Sequence, residues 1–172
     1  MAVEEDIIPS LTRKATKRRP FRLESFVDDR GWTSLHVGAK KGDLKMVKLL
    51  LDEGMDANVT GLGPKSKGVT PLHLAAEGGH LAVMDELLER GANIDARSWG
   101  ACGWTPLHNA AKERKREAVK FLVANGAFLP DDINDSRFNP PLHYCPGLEW
   151  AYEEMKLRAE VFFSSGESSS SS

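Results

Sequence analysis

Thr70-Pro71-Leu72-His73-Leu74-Ala75-Ala76 is the stretch that decides how this chain folds. Thr ahead of Pro starts a helix: its hydroxyl accepts from an orphan helix N–H, and Pro surrenders an N–H that has no partner there. Leu72 and the small pair Ala75-Ala76 then give a short helix one packed side, where a neighbouring helix can approach closely. The same word stands upstream as Thr33-Ser34-Leu35-His36 and downstream as Thr105-Pro106-Leu107-His108. A worn copy follows at Pro140-Pro141-Leu142-His143. The starts lie 37, 35 and 35 residues apart, the spacing of a stacked repeat array.

Each word opens the same longer sentence. A turn follows at Lys41-Gly42-Asp43 and Gly78-Gly79-His80, where Gly tolerates the left-handed backbone that ends a helix. A second helix follows, with apolar residues at period 3.6: Leu44, Val47, Leu50 and Leu51; Leu81, Met84, Leu87 and Leu88; Val119, Leu122 and Val123. These helices end at Gly54, Gly91 and Gly126. Nothing in the units has the alternation of a strand, so the fold class is an all-α solenoid.

The bulk properties agree. A chain of 172 residues with 41% hydrophobic content suits a thin stack in which each unit touches only its neighbours. A net charge of -2 makes no general polyanion binder. Two cysteines, Cys102 and Cys145, make no disulfide framework. The first ten residues hold three acids and no apolar core, and no apolar run reaches the roughly 20 residues that span a bilayer. The expected protein is soluble and intracellular, with no membrane partner.

The sequence T-P-L-H-x-A-A, then G-H, then L-L-x-x-G-A resembles the ankyrin-repeat consensus. Residues 70–76, Gly79-His80 and Leu87-Leu88-Glu89-Arg90-Gly91-Ala92 carry the match almost letter for letter. The resemblance implies an ankyrin-repeat solenoid whose fingers project from one edge, whose first helices line a concave face, and which binds proteins. Three recognisable repeats fall at about 28–59, 67–96 and 103–130, and a degenerate C-terminal capping repeat at 134–163. Residues 23–163 form the repeat domain, residues 1–22 a basic flexible arm, and residues 164–172 a disordered serine tail. The long fingers at 63–69 and 97–104, with the runs 111–121 and 139–150, also resemble the small plant ankyrin proteins that interact with phytochromes. That resemblance implies a phytochrome partner and a role in red/far-red light signalling that affects pigment accumulation.

Three departures from the family pattern stand out. Ser34 replaces the usual Pro in the first unit, Arg114 takes a helix-ending Gly position, and the fourth unit lacks its Thr. A non-Gly residue costs on the order of 1 kcal/mol in the left-handed region. Pro146-Gly147 is expected to cut the fourth unit's first helix short.

The chemistry-bearing residues are mostly absorbed by the architecture. His36, His73, His108 and His143 share one consensus place, and His80 follows Gly79 as the pattern requires. A histidine bridging adjacent turns by hydrogen bonds needs no ligand. Cys102, His108, His143 and Cys145 lack the close cysteine pairing of a zinc site. No nucleophile elbow, phosphate loop or dinucleotide fingerprint is present, so neither an enzyme nor a cofactor is expected.

The expected partner-binding residues are Trp32, Val69 and Trp104, one before each word, with Trp99 nearby. Lys40, Lys41, Glu77, Lys112 and Glu113 join them from the exposed steps of the first helices. Interface and finger-packing roles are both open for the indoles. Arg13, Lys14, Lys17, Arg18 and Arg19 read as a nuclear-import signal, giving an expected cytoplasmic and nuclear location. The alternative function is a nucleic-acid-associated nuclear factor working through this basic stretch; the array itself is read as a monomeric adaptor or regulator of a protein partner.

Overall fold

The computed structural model describes residues 27–99 and 103–170. The basic stretch 13–19, the apolar residues Phe21, Leu23 and Phe26, and Cys102 lie outside the described residues. Seven helices follow in order: α1 (Ser34–Lys41), α2 (Leu44–Asp52), α3 (Pro71–Gly78), α4 (Leu81–Glu89), α5 (Pro106–Lys112), α6 (Arg116–Ala124) and α7 (Leu148–Ser170). Among the described residues no strand forms; Gly61 and Lys67 make one isolated bridge inside a finger.

Each word starts a helix by the same device. Thr33, Thr70 and Thr105 cap α1, α3 and α5 in capping boxes whose third helical residue is the histidine. The threonine oxygen takes the histidine N–H, and the histidine ring takes the threonine N–H. Gly42 and Gly79 end α1 and α3 in the left-handed region, and Arg114, at φ 59, does the same after α5. Gly42 has a second reason to be glycine: an added Cβ would stand 2.5 Å from the His80 ring. That ring reaches back to donate to the Lys40 carbonyl at 3.0 Å and closes the end of α1.

The first helices α1, α3 and α5 stack side by side, with α2, α4 and α6 paired behind them. The seam between the layers is repetitive. Leu35, Leu72 and Leu107 are buried at equivalent positions, with Ala39, Ala75, Ala76, Ala110 and Ala111 beside them. Val47, Met84, Leu87, Val119 and Leu122 fill it from the second helices. Each unit buries its apolar side only against its neighbours, so the seam needs a cap.

The fourth unit supplies that cap in a form the sequence did not foretell. Residues 142–144 make a turn and no first helix forms. Pro140 has neither the hydroxyl nor the N–H that the histidine grips in the other words, so His143 swings out, exposed, with its ring 3.9 Å from that of Tyr144. The expected structural place for His143 is therefore corrected. Helix α7 closes the stack by packing on α5 and α6, with Leu148 and Ala151 buried and Tyr152 and Met155 half-buried. Gly147 fits because a Cβ there would meet the Ala111 carbonyl oxygen at 2.6 Å.

Helix α7 also runs on to Ser170, where composition predicts a tract without regular structure. Extending a formed helix adds one hydrogen bond per residue and needs no new nucleus, so continuation costs less here than starting a separate helix would.

Candidate partner-binding surface

The fingers are tied together by main-chain bonds and one serine hydroxyl. Leu62 N–H of the second finger donates to the Gly31 carbonyl of the first at 2.8 Å. Ser66 Oγ donates to the Arg30 carbonyl at 2.7 Å. Trp99 N–H of the third finger donates to the Lys67 carbonyl of the second at 2.9 Å. An edge bonded in this way meets a partner with little backbone change.

Behind the fingers runs a histidine relay. Thr33 presents its amide to His36 Nδ1 at 3.1 Å and its hydroxyl at 2.9 Å. With two donors on Nδ1 the ring proton sits on Nε2, which donates to the Val69 carbonyl of the next unit at 2.7 Å. His73 repeats the scheme with Thr70 and donates to the Trp104 carbonyl at 2.9 Å. His108, held by Thr105, donates to Asn139 Oδ1 at 3.0 Å. Burial pushes all three imidazoles towards the neutral form, His73 furthest, to about 4. Each ring is thus occupied on both nitrogens and serves structure.

Asn139 replaces the main-chain acceptor at the last interface. Its Nδ2 also donates to the Ile133 carbonyl at 3.0 Å and to the Tyr152 hydroxyl at 2.9 Å. The Tyr152 hydroxyl donates in turn to the Pro130 carbonyl at 2.8 Å. Sequence reasoning missed this residue. The available signal was its register, one place before the worn word, where Val69 and Trp104 stand in the earlier units.

The expected interface residues fall into three environments. Trp32 is half-buried against the core, with the Arg30 guanidinium 3.8 Å from its ring centre and Arg30 held by Asp28. Trp104 and Val69 are also half-buried, and Lys112 Nζ lies 5.7 Å from the Trp104 ring. Trp99 is the open one, at 71% exposure. Lys40 and Glu77 form an ion pair across α1 and α3, and Lys112 lies 3.8 Å from Glu113. Lys41 is exposed at the end of α1. The strip along the first helices is therefore partly neutralised within itself, with Lys41 left outside the pairs.

No group of three or more His, Cys, Asp or Glu side chains converges on a metal site among the described residues. Cys145 is buried, its Sγ 3.3 Å from the His108 carbonyl, and burial pushes its thiol up to about 12. Among the described residues no helix is long and apolar enough to cross a membrane.

Comparison with known families agrees with the geometry. The family model described as ankyrin repeats (3 copies) matches residues 4–98, and the single ankyrin repeat matches residues 102–135. The chain belongs to the ankyrin-repeat family, whose members work as protein-interaction scaffolds. It is similar to phytochrome-interacting ankyrin-repeat protein 2 of Arabidopsis thaliana, 72% identical over 147 residues, 86% of this chain and 83% of that protein. It is also similar to phytochrome-interacting ankyrin-repeat protein 1 of the same plant, 64% identical over 173 residues, 100% of this chain and 99% of its relative. A more distant likeness, to ankyrin repeat and SOCS box protein 3 of Homo sapiens, is 46% identical over 97 residues, 56% of this chain and 18% of that protein.

Proposed function

We propose that this protein is an adaptor or regulator that binds a phytochrome through its fingers and concave face, and acts in red/far-red light signalling that affects pigment accumulation. The observation that carries the reading is 64% identity, over the whole chain, to a relative whose name states that it interacts with phytochrome. The surface supports it physically: a bonded finger edge, an exposed indole and a rigid helical backing are features of a preformed binding face. The protein acts as a monomer, without a reaction of its own, and works in cytoplasm and nucleus, with Arg13, Lys14, Lys17, Arg18 and Arg19 directing import.

Purified full-length chain incubated with a purified plant phytochrome tests the reading, after red and after far-red illumination. Retention of the photoreceptor in either form is the expected result, and absence of binding in both forms overturns it. Binding that disappears on deletion of residues 1–22 transfers the site to the basic stretch. A fluorescent fusion with those five bases replaced by Ala loses nuclear signal if they direct import and keeps it if they do not.

A further inference from the structure

The second finger, residues 60–69, carries Lys65 and Lys67 and no acid. Neither lysine has a carboxylate at ion-pair distance among the described residues; Lys67 instead places Nζ 5.5 Å from the centre of the Trp99 ring. Arg97, on the third finger, also lacks a carboxylate partner there and lies over the Phe138 ring at 5.4 Å. The first finger differs, because Asp28 neutralises Arg30. Among the fingers, the bases without a carboxylate partner are thus on the second and third.

The same two fingers expose apolar surface. Trp99 is 71% exposed and Leu62 62% exposed. Trp99 is nevertheless fixed. Its N–H is bonded to the Lys67 carbonyl, and its indole lies on Gly68, where an added Cβ would meet the ring Cδ1 at 2.5 Å. Gly68, at φ 77, is required both for the turn and for this seat. An indole that is already placed loses little freedom when a partner covers it, and tryptophans of that kind dominate binding energies. The flanking lysines give the surrounding rim one sign of charge, which selects for the opposite sign.

We infer that Leu62, Lys65, Lys67 and Trp99 form a docking edge for an acidic segment of the partner, one carrying an apolar side chain beside its carboxylates. The apolar side chain covers the Trp99 indole, the segment continues past Leu62, and the carboxylates pair with Lys65 and Lys67. The inference rests on the proposed function for the partner's identity, and on the finger edge alone for the partner's chemistry.

Two measurements test it on the full chain. In the first, phytochrome is titrated with wild-type chain, Trp99→Ala and the double variant Lys65→Glu/Lys67→Glu, with thermal melting as the control for folding. Affinity about tenfold weaker in each variant at unchanged melting temperature is expected, with a flatter salt dependence in the double variant. Affinities within twofold of wild type overturn the inference and leave the phytochrome reading intact. In the second, a short synthetic peptide of Asp, Glu and Leu is titrated while the Trp99 indole N–H resonance is followed. A saturable shift in wild type that is lost in the double variant is expected. If wild-type chain binds no phytochrome, the proposed function fails and this peptide titration alone decides: an unmoved Trp99 resonance overturns the inference.

Discussion

His108 donates from Nε2 to the side-chain oxygen of Asn139, whereas His36 and His73 donate to main-chain carbonyls. The last interface of the relay is therefore the one whose acceptor a side-chain substitution can remove.

Asn139→Ala removes the acceptor of a buried imidazole together with the donor shared by Ile133 and Tyr152. Leaving buried polar groups unpaired costs about 1–3 kcal/mol each, so a loss of about 3 kcal/mol is expected for the set. Urea denaturation of full-length chain measures it. A change under about 0.5 kcal/mol would show that the cap is held by apolar packing alone.

Acid weakens the array through its histidines. Burial lowers His73 from 6.5 to about 4, so between those values the unfolded chain binds more protons than the folded one. Stability is complete above pH 6.5, falls as the pH drops through this window, and the contribution is gone below about 4. His73 accounts for about 3 kcal/mol of the change, with His36 and His108 acting in the same direction. Denaturation midpoints from pH 7 to pH 4 should show this slope, and His73→Gln should flatten it.

Arg114→Gly should stabilise the protein. Arg114 holds φ 59, a conformation that costs a non-glycine residue on the order of 1 kcal/mol. Against the gain stands the loss of its guanidinium 5.8 Å from the Trp150 ring, although Arg116 stays at 5.1 Å from the same ring. An exposed contact of this kind contributes about 0.5 kcal/mol, leaving a net gain of about 0.5 kcal/mol and a rise in Tm of about 1–2 °C. A fall in Tm would mean that the cation–ring contact outweighs the backbone strain.

Cys145 should resist alkylation in the folded protein. It is fully buried, and its thiol is pushed up to about 12, so the reactive thiolate is scarce at neutral pH. Iodoacetamide labelling followed by mass spectrometry should modify Cys145 only as fast as the chain opens. Rapid labelling in native buffer would place α7 off the stack for much of the time.

The three intact words made the first helices, their caps and the seam legible, because threonine, proline and leucine act there through local rules. The fourth unit was not legible in the same way. Losing one threonine to Pro140 removed both groups that seat His143, and a copy that looks merely worn in sequence lost its helix. The fingers were located, but their order was not legible: it comes largely from main-chain bonds such as Leu62 to Gly31, which leave no side-chain signature. Trp99 was named for its residue type, but Lys65 and Lys67 were not, because an unpaired lysine is recognised only after its neighbours are placed. Interface and finger-packing roles were both open for Trp32, which is half-buried against the core with the Arg30 guanidinium laid over its ring.

The relay runs one way along the chain. His36 waits for Val69, His73 for Trp104 and His108 for Asn139, each acceptor arriving about a repeat later. On a ribosome the newest unit is therefore always incomplete, and the array becomes fully satisfied only after Asn139 and the helix behind it have left the exit tunnel. A chain cut short before Asn139 would leave the His108 imidazole with no acceptor at its open end.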